Sequence, residues 1–208
     1  MINLLDILFP KKCLYCGKEG KYICQECFSK INHQYFFQKI NHDYFDYLVC
    51  SSLYQGITRT QIHNFKFHEQ AYLYEYFIEV SLMKNKIYHF LKKFDFITFV
   101  PMNDEKQFRR GYNQSELLAE CLGKQLGIKV VKLLKKPVEL QVQSTLSKKD
   151  RINNVKHAFQ FVDNINIQNK NIILVDDILT TGATARASSK LMKENGSNKI
   201  CVFTIAKA

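Results

Sequence analysis

Two adjacent carboxylates stand out in the stretch IILVDDILTTGAT, which runs from Ile172 to Thr184. Asp176 and Asp177 follow an uninterrupted apolar run, which is typical of a parallel strand buried on both faces. We expect the acids to leave the carboxyl end of that strand, where open α/β sheets bind their ligands. Because carboxylates repel phosphate, the partners predicted for them are sugar hydroxyl groups or a divalent cation such as Mg²⁺.

The residues after the acids are suited to an anion. Thr180, Thr181, Gly182, Ala183 and Thr184 lead into a predicted helix, whose first N–H groups are unpaired and whose dipole is positive at that end. The segment therefore predicts a phosphate-binding loop, with Gly182 permitting a backbone geometry that a side chain would obstruct. The alternative is an ordinary solvated turn in which the threonines cap the helix.

Four cysteines near the start form two C-x-x-C pairs, Cys13 with Cys16 and Cys24 with Cys27. Four thiolates satisfy tetrahedral Zn²⁺, and since no coordination position is left open, the predicted zinc is structural. Redox disulfides are a weaker alternative, because no thioredoxin-like pattern surrounds either pair. Iron–sulfur ligation is compatible with the spacing.

A third candidate is RRGYNQSELLAE, from Arg109 to Glu120. Two arginines and a glycine ahead of a predicted helix indicate a mobile basic loop able to meet a pyrophosphate or a nucleic-acid backbone. An ordinary solvated loop, with Asn113 as the helix cap, would have the same composition.

The elements that must position these residues follow an alternating pattern from Phe96 onward. We predict strands in FITFVP, IKVVKLL, NIILV and KICVFTIA, with helices beginning near Asn113 and running from about Ala183 to Asn195. Earlier, YLVCSSLYQ predicts another strand, and the apolar spacing between it and Phe96 predicts one or two helices. Such alternation indicates an α/β fold with an open, mostly parallel sheet.

The first residues, although they include the apolar stretch INLLDILF, are too few to form a core of their own, so we predict a zinc knuckle at 1–35 and one α/β domain at 36–208. The chain contains no apolar run long enough for a membrane span and no secretory leader pattern. We therefore expect a cytoplasmic protein.

Net charge favours an anionic partner. The formal charge is +11, and the residues from Phe96 onward, with 18 basic and 10 acidic side chains, contribute +8 of it. The phosphate-loop lysine motif, the dinucleotide glycine fingerprint and the nucleophile-elbow serine are absent, which disfavours the commonest nucleotide-binding and acyl-transfer classes.

The stretch from Ile172 to Thr184 resembles the 5-phosphoribosyl-1-pyrophosphate (PRPP) motif of type I phosphoribosyltransferases. Together with the cysteine pairs, LYQGITRTQIHNFKF, VPMNDEKQFRRGYNQSELLAE and QSTLSKKDRINNVKHAF, it makes the chain similar to the ComF family of competence proteins. The resemblance implies a phosphoribosyltransferase-type sheet, ribose hydroxyls on Asp176 and Asp177, the 5-phosphate on Thr180 to Thr184, and Mg²⁺ bound with PRPP.

The same resemblance implies further site residues. Lys66 and Arg110 become candidates for the pyrophosphate contact and, with the two aspartates, for the catalytic set. The family pattern also covers Gly111, Asn113, Gln114, Gln143, Arg151, Asn154 and Phe159. Where the family leads us to expect an arginine after IKVVKLL, this chain has Lys135 and Lys136, which lack the planar two-point grip of a guanidinium.

Three functions follow from this resemblance. The favoured one is a PRPP-binding protein of DNA uptake in natural transformation that also binds single-stranded DNA. The second is an active phosphoribosyltransferase with an unknown acceptor. The third is a non-catalytic zinc adaptor that docks a DNA-translocating helicase.

Overall fold

The computed structural model describes residues 10–22, 24–30, 35–41, 43–67, 70–136, 159–162 and 165–208. The strands are β1 (Phe36–Lys39), β2 (Tyr47–Leu53), β3 (Phe96–Phe99), β4 (Lys129–Val130), β5 (Leu134–Lys135), β6 (Gln160–Phe161), β7 (Ile172–Leu179) and β8 (Ile200–Lys207). The helices are α1 (Gln25–Lys30), α2 (Gly56–Phe67), α3 (Leu73–Leu82), α4 (Asn85–Leu91), α5 (Asp104–Arg110), α6 (Gln114–Leu126) and α7 (Ala183–Glu194).

Six strands form one sheet in the order β1-β2-β8-β7-β3-β4. The edge strand β1 is antiparallel to β2, and every other neighbouring pair is parallel. The predicted open, mostly parallel α/β sheet with a small N-terminal cysteine knuckle is confirmed. Since parallel strands end at one edge, the carboxyl ends of β3, β7 and β8 meet there.

The central strands are apolar because helices cover both faces of the sheet. Ile173 and Val175 point into the core beneath α3 and α6, whereas Ile172 and Leu174 point into the core beneath α7. All four are fully buried, and burial of each such side chain contributes about 1.5–3 kcal/mol. This burial on both faces fixes the register of β7, and the register fixes the position of the two acids that follow Val175.

Strand β7 is longer than predicted. The sequence suggests a strand that ends before Asp176, but β7 continues to Leu179 because β8 runs alongside it and pairs with it that far. In the register, Asp176 lies opposite Thr204, and Leu179 lies opposite Lys207. The two acids are therefore held by the sheet rather than by a loop.

The segment IKVVKLL is not the single strand that was predicted. It first pairs with β3 as β4 and then, past Leu133, pairs with β6 in a separate two-stranded sheet. Between the two strands, the N–H of Val131 donates to the carbonyl of Ile97 and that of Leu133 donates to the Thr98 hydroxyl. The chain thus leaves the main sheet and forms a small second layer.

Where one or two helices were predicted between β2 and β3, the described residues of that span form three. A turn at Met83 and Lys84 separates α3 from α4, and Lys84 has an extended backbone that interrupts the helix.

The cysteine knuckle packs against α3 and the residue before it. The contacts are a hydrogen bond of 3.0 Å between the hydroxyls of Tyr15 and Tyr76, ring stacking of Tyr22 on Tyr72 at 5.4 Å, an ion pair of 3.3 Å between Lys21 and Glu79, and an ion pair between Lys11 and Glu75. The predicted division at residue 35 stays a prediction.

In the part of the chain that the structure describes, no helix has the length and apolar character needed to cross a bilayer.

Candidate functional site

Asp176 is a part-buried carboxylate at the carboxyl edge of the sheet. Its Oδ1 accepts hydrogen bonds from the Ser115 hydroxyl at 3.1 Å and from the N–H of Asp177 at 2.9 Å. Burial and the neighbouring Asp177 carboxylate raise the pKa of Asp176 to about 7, against the opposing effect of these hydrogen bonds. The two carboxyl groups are thus placed where ionisation of both at once is unfavourable.

Asp177 is compensated by a cation from another element. The ammonium of Lys66, in the last turn of α2, lies 2.6 Å from Asp177 Oδ2. The two side chains are only 21% and 15% exposed, so water screens their attraction less than at an open surface. Lys66, expected from the family resemblance to meet pyrophosphate, is thus brought directly to the predicted sugar-binding acid.

The predicted phosphate loop follows β7 and opens to solvent. Thr180, Thr181, Ala183 and Thr184 are exposed, and Gly182 adopts a φ of 75°, the left-handed conformation that favours glycine. The Thr181 hydroxyl accepts a hydrogen bond from the N–H of Ala183 at 3.3 Å. The first turn of α7 still presents backbone N–H groups that have no partner within the helix, which is the geometry of an anion site.

Arg186 is a residue of α7 that contacts the loop and that the sequence did not lead us to expect. From the second turn of α7, its Nη1 donates to the Thr181 carbonyl at 2.7 Å, and its Nε donates to Asp43 Oδ2 at 2.9 Å. A Cβ on Gly182 would lie 3.1 Å from that Nη1, so the bare glycine also makes room for the guanidinium. The four-residue spacing between Gly182 and Arg186 in a helix is the signal that could have identified it.

The basic segment predicted as a mobile loop is instead the end of a short helix. Arg110 closes α5, and Gly111, with a φ of 80°, terminates it. Asn113 then fixes the chain, because its Oδ1 accepts from the N–H of Ser115 at 3.0 Å and its Nδ2 donates to the carbonyl of Val100 at 3.1 Å. The cap of α6 is therefore tied to the end of β3, and it delivers Ser115 to Asp176.

The guanidinium of Arg110 lies over an aromatic ring, with its Cζ 5.1 Å from the ring centroid of Phe67. It also donates to the Gln114 side chain. Because Phe67 directly follows Lys66, the structure brings Arg110 to the same helix end as the cation that pairs with Asp177.

The four predicted metal ligands converge. The Sγ atoms of Cys13, Cys16, Cys24 and Cys27 all lie within 4.8 Å of one another, and those of Cys16 and Cys24 are 3.6 Å apart. A tetrahedron of sulfurs about 2.3 Å from zinc has edges of about 3.8 Å, so the cluster fits one ion. The N–H groups of Cys24 and Cys27 donate to cluster sulfurs at 3.4 Å each, which stabilises thiolate charge.

Some predicted residues lie elsewhere. Gln143, Arg151 and Asn154 fall outside the described residues. Lys135 is the last residue of β5, Lys136 follows it, and both are exposed; the Lys136 ammonium lies 5.8 Å from the ring centroid of Phe159.

A separate open cavity of about 640 Å³ lies between α3 and α6. It is lined by side chains such as Tyr74, Leu117 and Cys121, and by none of the aspartates, loop residues or cysteines described above.

Comparison with known proteins bears on both parts of the chain. Residues 4–35 match the family model described as double zinc ribbon domain. Together with the sulfur geometry, this identifies the knuckle as a structural zinc site.

Two curated relatives extend the similarity beyond the knuckle. Competence protein F of Haemophilus influenzae is 31% identical over 201 residues, covering 94% of this chain and 84% of that protein. Competence protein ComFC of Bacillus subtilis is 28% identical over 160 residues, covering 74% of this chain and 62% of that protein.

Among solved structures, adenine phosphoribosyltransferase of Saccharomyces cerevisiae is similar with a TM-score of 0.45 and 19% identity, over 69% of this chain and 72% of that one. The fold of this chain is given by the strand order described above.

Proposed function

Since the chain belongs to the ComF family of competence proteins, we propose that it binds PRPP together with Mg²⁺ and handles single-stranded DNA during natural transformation. The observation that carries the PRPP proposal is the placement of an acid pair and, after two intervening residues, an open glycine turn at one sheet edge. Few ligands need both a phosphate cradle and hydroxyl-binding carboxylates within that distance, and a phosphorylated ribose does.

Each part of PRPP has a partner in this arrangement. The 5-phosphate would accept hydrogen bonds from the N–H groups and hydroxyls of Thr180 to Thr184 at the start of α7. The ribose hydroxyls would donate to Asp176 and Asp177, whose mutual repulsion such donors relieve. Lys66 and Arg110 would then receive the pyrophosphate.

The acid pair also suits Mg²⁺, which prefers carboxylate oxygens and substrate phosphates to a closed protein cage. Bound with PRPP, the ion would neutralise charge on the pyrophosphate.

Catalysis would rest on electrostatics if phosphoribose is transferred. Asp176 and Asp177 would orient the sugar as it becomes cationic, and Lys66 and Arg110 would stabilise the departing pyrophosphate. Among the described residues we assign no general base and no group that recognises an acceptor, so PRPP binding is the primary proposal and turnover is the second candidate.

A role with DNA is supported by the names of the relatives and by the charge. The formal net charge of +11 favours a polyanion, and counterion release would make strand binding steeply dependent on salt. The other candidate for the role in DNA uptake is a zinc adaptor that docks a helicase.

The PRPP proposal is tested by calorimetric titration of PRPP and Mg²⁺ into the protein and into Asp177→Asn. The variant should bind roughly 10–100-fold more weakly, because a charge-assisted contact to the sugar is lost. Asp95→Asn is the matched control, since Asp95 caps the N–H of Asn171 beyond the opposite end of β7 and should leave PRPP binding intact. PRPP affinity unchanged in Asp177→Asn would refute the site assignment.

Turnover and docking are separated by two further measurements. Pyrophosphate released only in the presence of an oligonucleotide would support the transferase, and strand binding without release would support the binding protein. The adaptor predicts association with a helicase that is lost when zinc is chelated.

A further inference from the structure

Phe67 is a large apolar side chain that remains exposed beside the proposed site. Its ring is 61% exposed at the last position of α2, although Arg110 and His63 both contact it. The Arg110 Cζ lies 5.1 Å from the ring centroid and the His63 ring centroid lies 4.9 Å away. Phe67 therefore already takes part in a cation–π contact and still presents apolar surface to solvent.

We propose that Phe67 and Arg110 form a stacking platform for a base of single-stranded nucleic acid. This inference rests on the proposed function, which supplies the class of partner, single-stranded nucleic acid. It adds which residues contact that partner. Every base has a flat π-face, and both an aromatic ring and a planar guanidinium can stack on it. An apolar partner fits less well, since covering Arg110 with apolar surface would desolvate its charge without supplying a hydrogen bond.

The position of the platform favours binding of a nucleic-acid strand over contact with a single isolated base. Phe67 follows Lys66, whose ammonium pairs with Asp177, so a stacked base would stand next to the sugar-binding acids. On the other side, α5 carries Lys106 and Arg109 as exposed cations, although Arg109 forms an ion pair of 2.6 Å with Glu105 that a backbone phosphate would have to replace. A strand could thus place a base on Phe67 and its phosphates along α5.

Phe108 provides an internal comparison. It is 89% exposed and also lies on α5, but residues two apart on a helix do not share a face, so it points away from Arg110. If exposed aromatic surface near positive charge were sufficient, Phe108 would matter as much as Phe67. The platform proposal requires Phe67 to matter and Phe108 to be dispensable.

The test is fluorescence anisotropy with a labelled oligothymidine of about 20 nucleotides, titrated at several salt concentrations. Phe67→Leu should weaken binding roughly 5- to 100-fold, the range expected for loss of one base–aromatic stack. Arg110→Lys, which keeps the charge but loses the planar group, should also weaken binding. In both variants the dependence of the binding constant on salt should stay as in the unmodified protein, since no phosphate contact is removed.

Phe108→Leu should bind within about twofold of the unmodified protein. Equal losses in Phe67→Leu and Phe108→Leu, normal binding by Phe67→Leu, or no strand binding by the unmodified protein would each overturn the platform. A change in sedimentation of Phe67→Leu with unaltered strand binding would make the ring an interface between copies and would also overturn it. A thermal melt and the zinc content of each variant check folding.

Calorimetry with PRPP on the same proteins keeps the two proposals separate. If the unmodified protein binds the strand through Phe67 but does not bind PRPP, the platform stands and the PRPP proposal fails. If PRPP binds normally to Phe67→Leu while strand binding is lost, both stand.

Discussion

Asp176 shows how one residue can be held in an unfavourable charge state by its surroundings. The Ser115 hydroxyl and the Asp177 N–H stabilise its carboxylate, but burial and the adjacent Asp177 oppose ionisation more strongly and raise its pKa from 3.8 to about 7. The Lys66 ammonium pairs directly with Asp177 and also lowers the pKa of Asp176, but by less than burial and Asp177 raise it. At neutral pH this carboxylate lowers the stability of the fold.

The sign of this effect gives a pH-dependent prediction. Because folding raises the pKa of Asp176, the folded state binds the proton more tightly, and stability from this group is present near pH 4 and lost as the pH rises to about 7. Asp176→Asn should therefore raise the free energy of unfolding at about pH 8 and change it little at about pH 4. Urea unfolding at the two values measures this difference.

Asp95→Asn serves as the comparison for removal of an acid outside the carboxyl edge. A destabilisation by Asp176→Asn of equal size at both pH values would contradict the burial argument.

Local spacing in the sequence was sufficient to identify the acids, the Thr-Thr-Gly turn and the four cysteines. It could not reveal the partners that give the acids their properties. Ser115 is 61 positions from Asp176, and Asp43 is 143 positions from Arg186, so only the folded sheet brings them together. Lys66 was named from a family resemblance, yet its pairing with Asp177 followed from no pattern in the chain.

At the scale of elements, the start of α6 connects the sheet to the site. Asn113 is only 3% exposed and makes two hydrogen bonds, one that caps α6 and one that holds the end of β3. Asn103 caps α5 in the same way through the N–H of Glu105, but its environment is exposed and its helix is short.

These two caps predict different effects of the same substitution. Asn113→Ala should destabilise the protein by about 1–3 kcal/mol, because it removes a buried cap and leaves the part-buried Val100 carbonyl without that donor. Asn103→Ala should cost about 0.5–1 kcal/mol, as an exposed cap does. Chemical denaturation of both variants compares them, and equal losses would show that the tie to Val100 contributes nothing.

Element boundaries were less predictable than element types. The apolar pattern located β7, but its extension through Asp176 to Leu179 depends on β8 running beside it, which no local pattern encodes. IKVVKLL has strand propensity throughout. It is divided into two strands because its first part pairs with β3 in the main sheet and its last part pairs with β6 in the two-stranded sheet.

At the scale of the whole molecule, the zinc knuckle and α3 depend on each other. The knuckle has little core, and its contacts with the domain are tyrosine and lysine side chains placed against α3 and Tyr72. The opposite side of α3 packs on α6, with Phe77 and Leu118 in the same core. Loss of the metal should therefore affect α3 before the sheet.

Removal of zinc by a chelator, or Cys24→Ser, should raise hydrogen exchange along α3 while β7 and β8 keep their protection. Exchange measured by mass spectrometry, with zinc content determined in parallel, tests this order. Cys121→Ser is the control, because Cys121 is a half-buried thiol of α6 outside the cluster and should leave the metal bound. Unchanged hydrogen exchange in α3 after zinc loss would show that the knuckle does not stabilise α3.

The ion pair between Lys66 and Asp177 has a further consequence for any ligand that uses these acids. A ligand that binds Asp177 must displace the Lys66 ammonium from it. A bare cation gains little by this exchange, because Lys66 then loses its counterion. A ligand that carries its own anionic group provides the displaced Lys66 ammonium with a new counterion. The resting protein would thereby reject simple ions and admit a sugar only when phosphates accompany it.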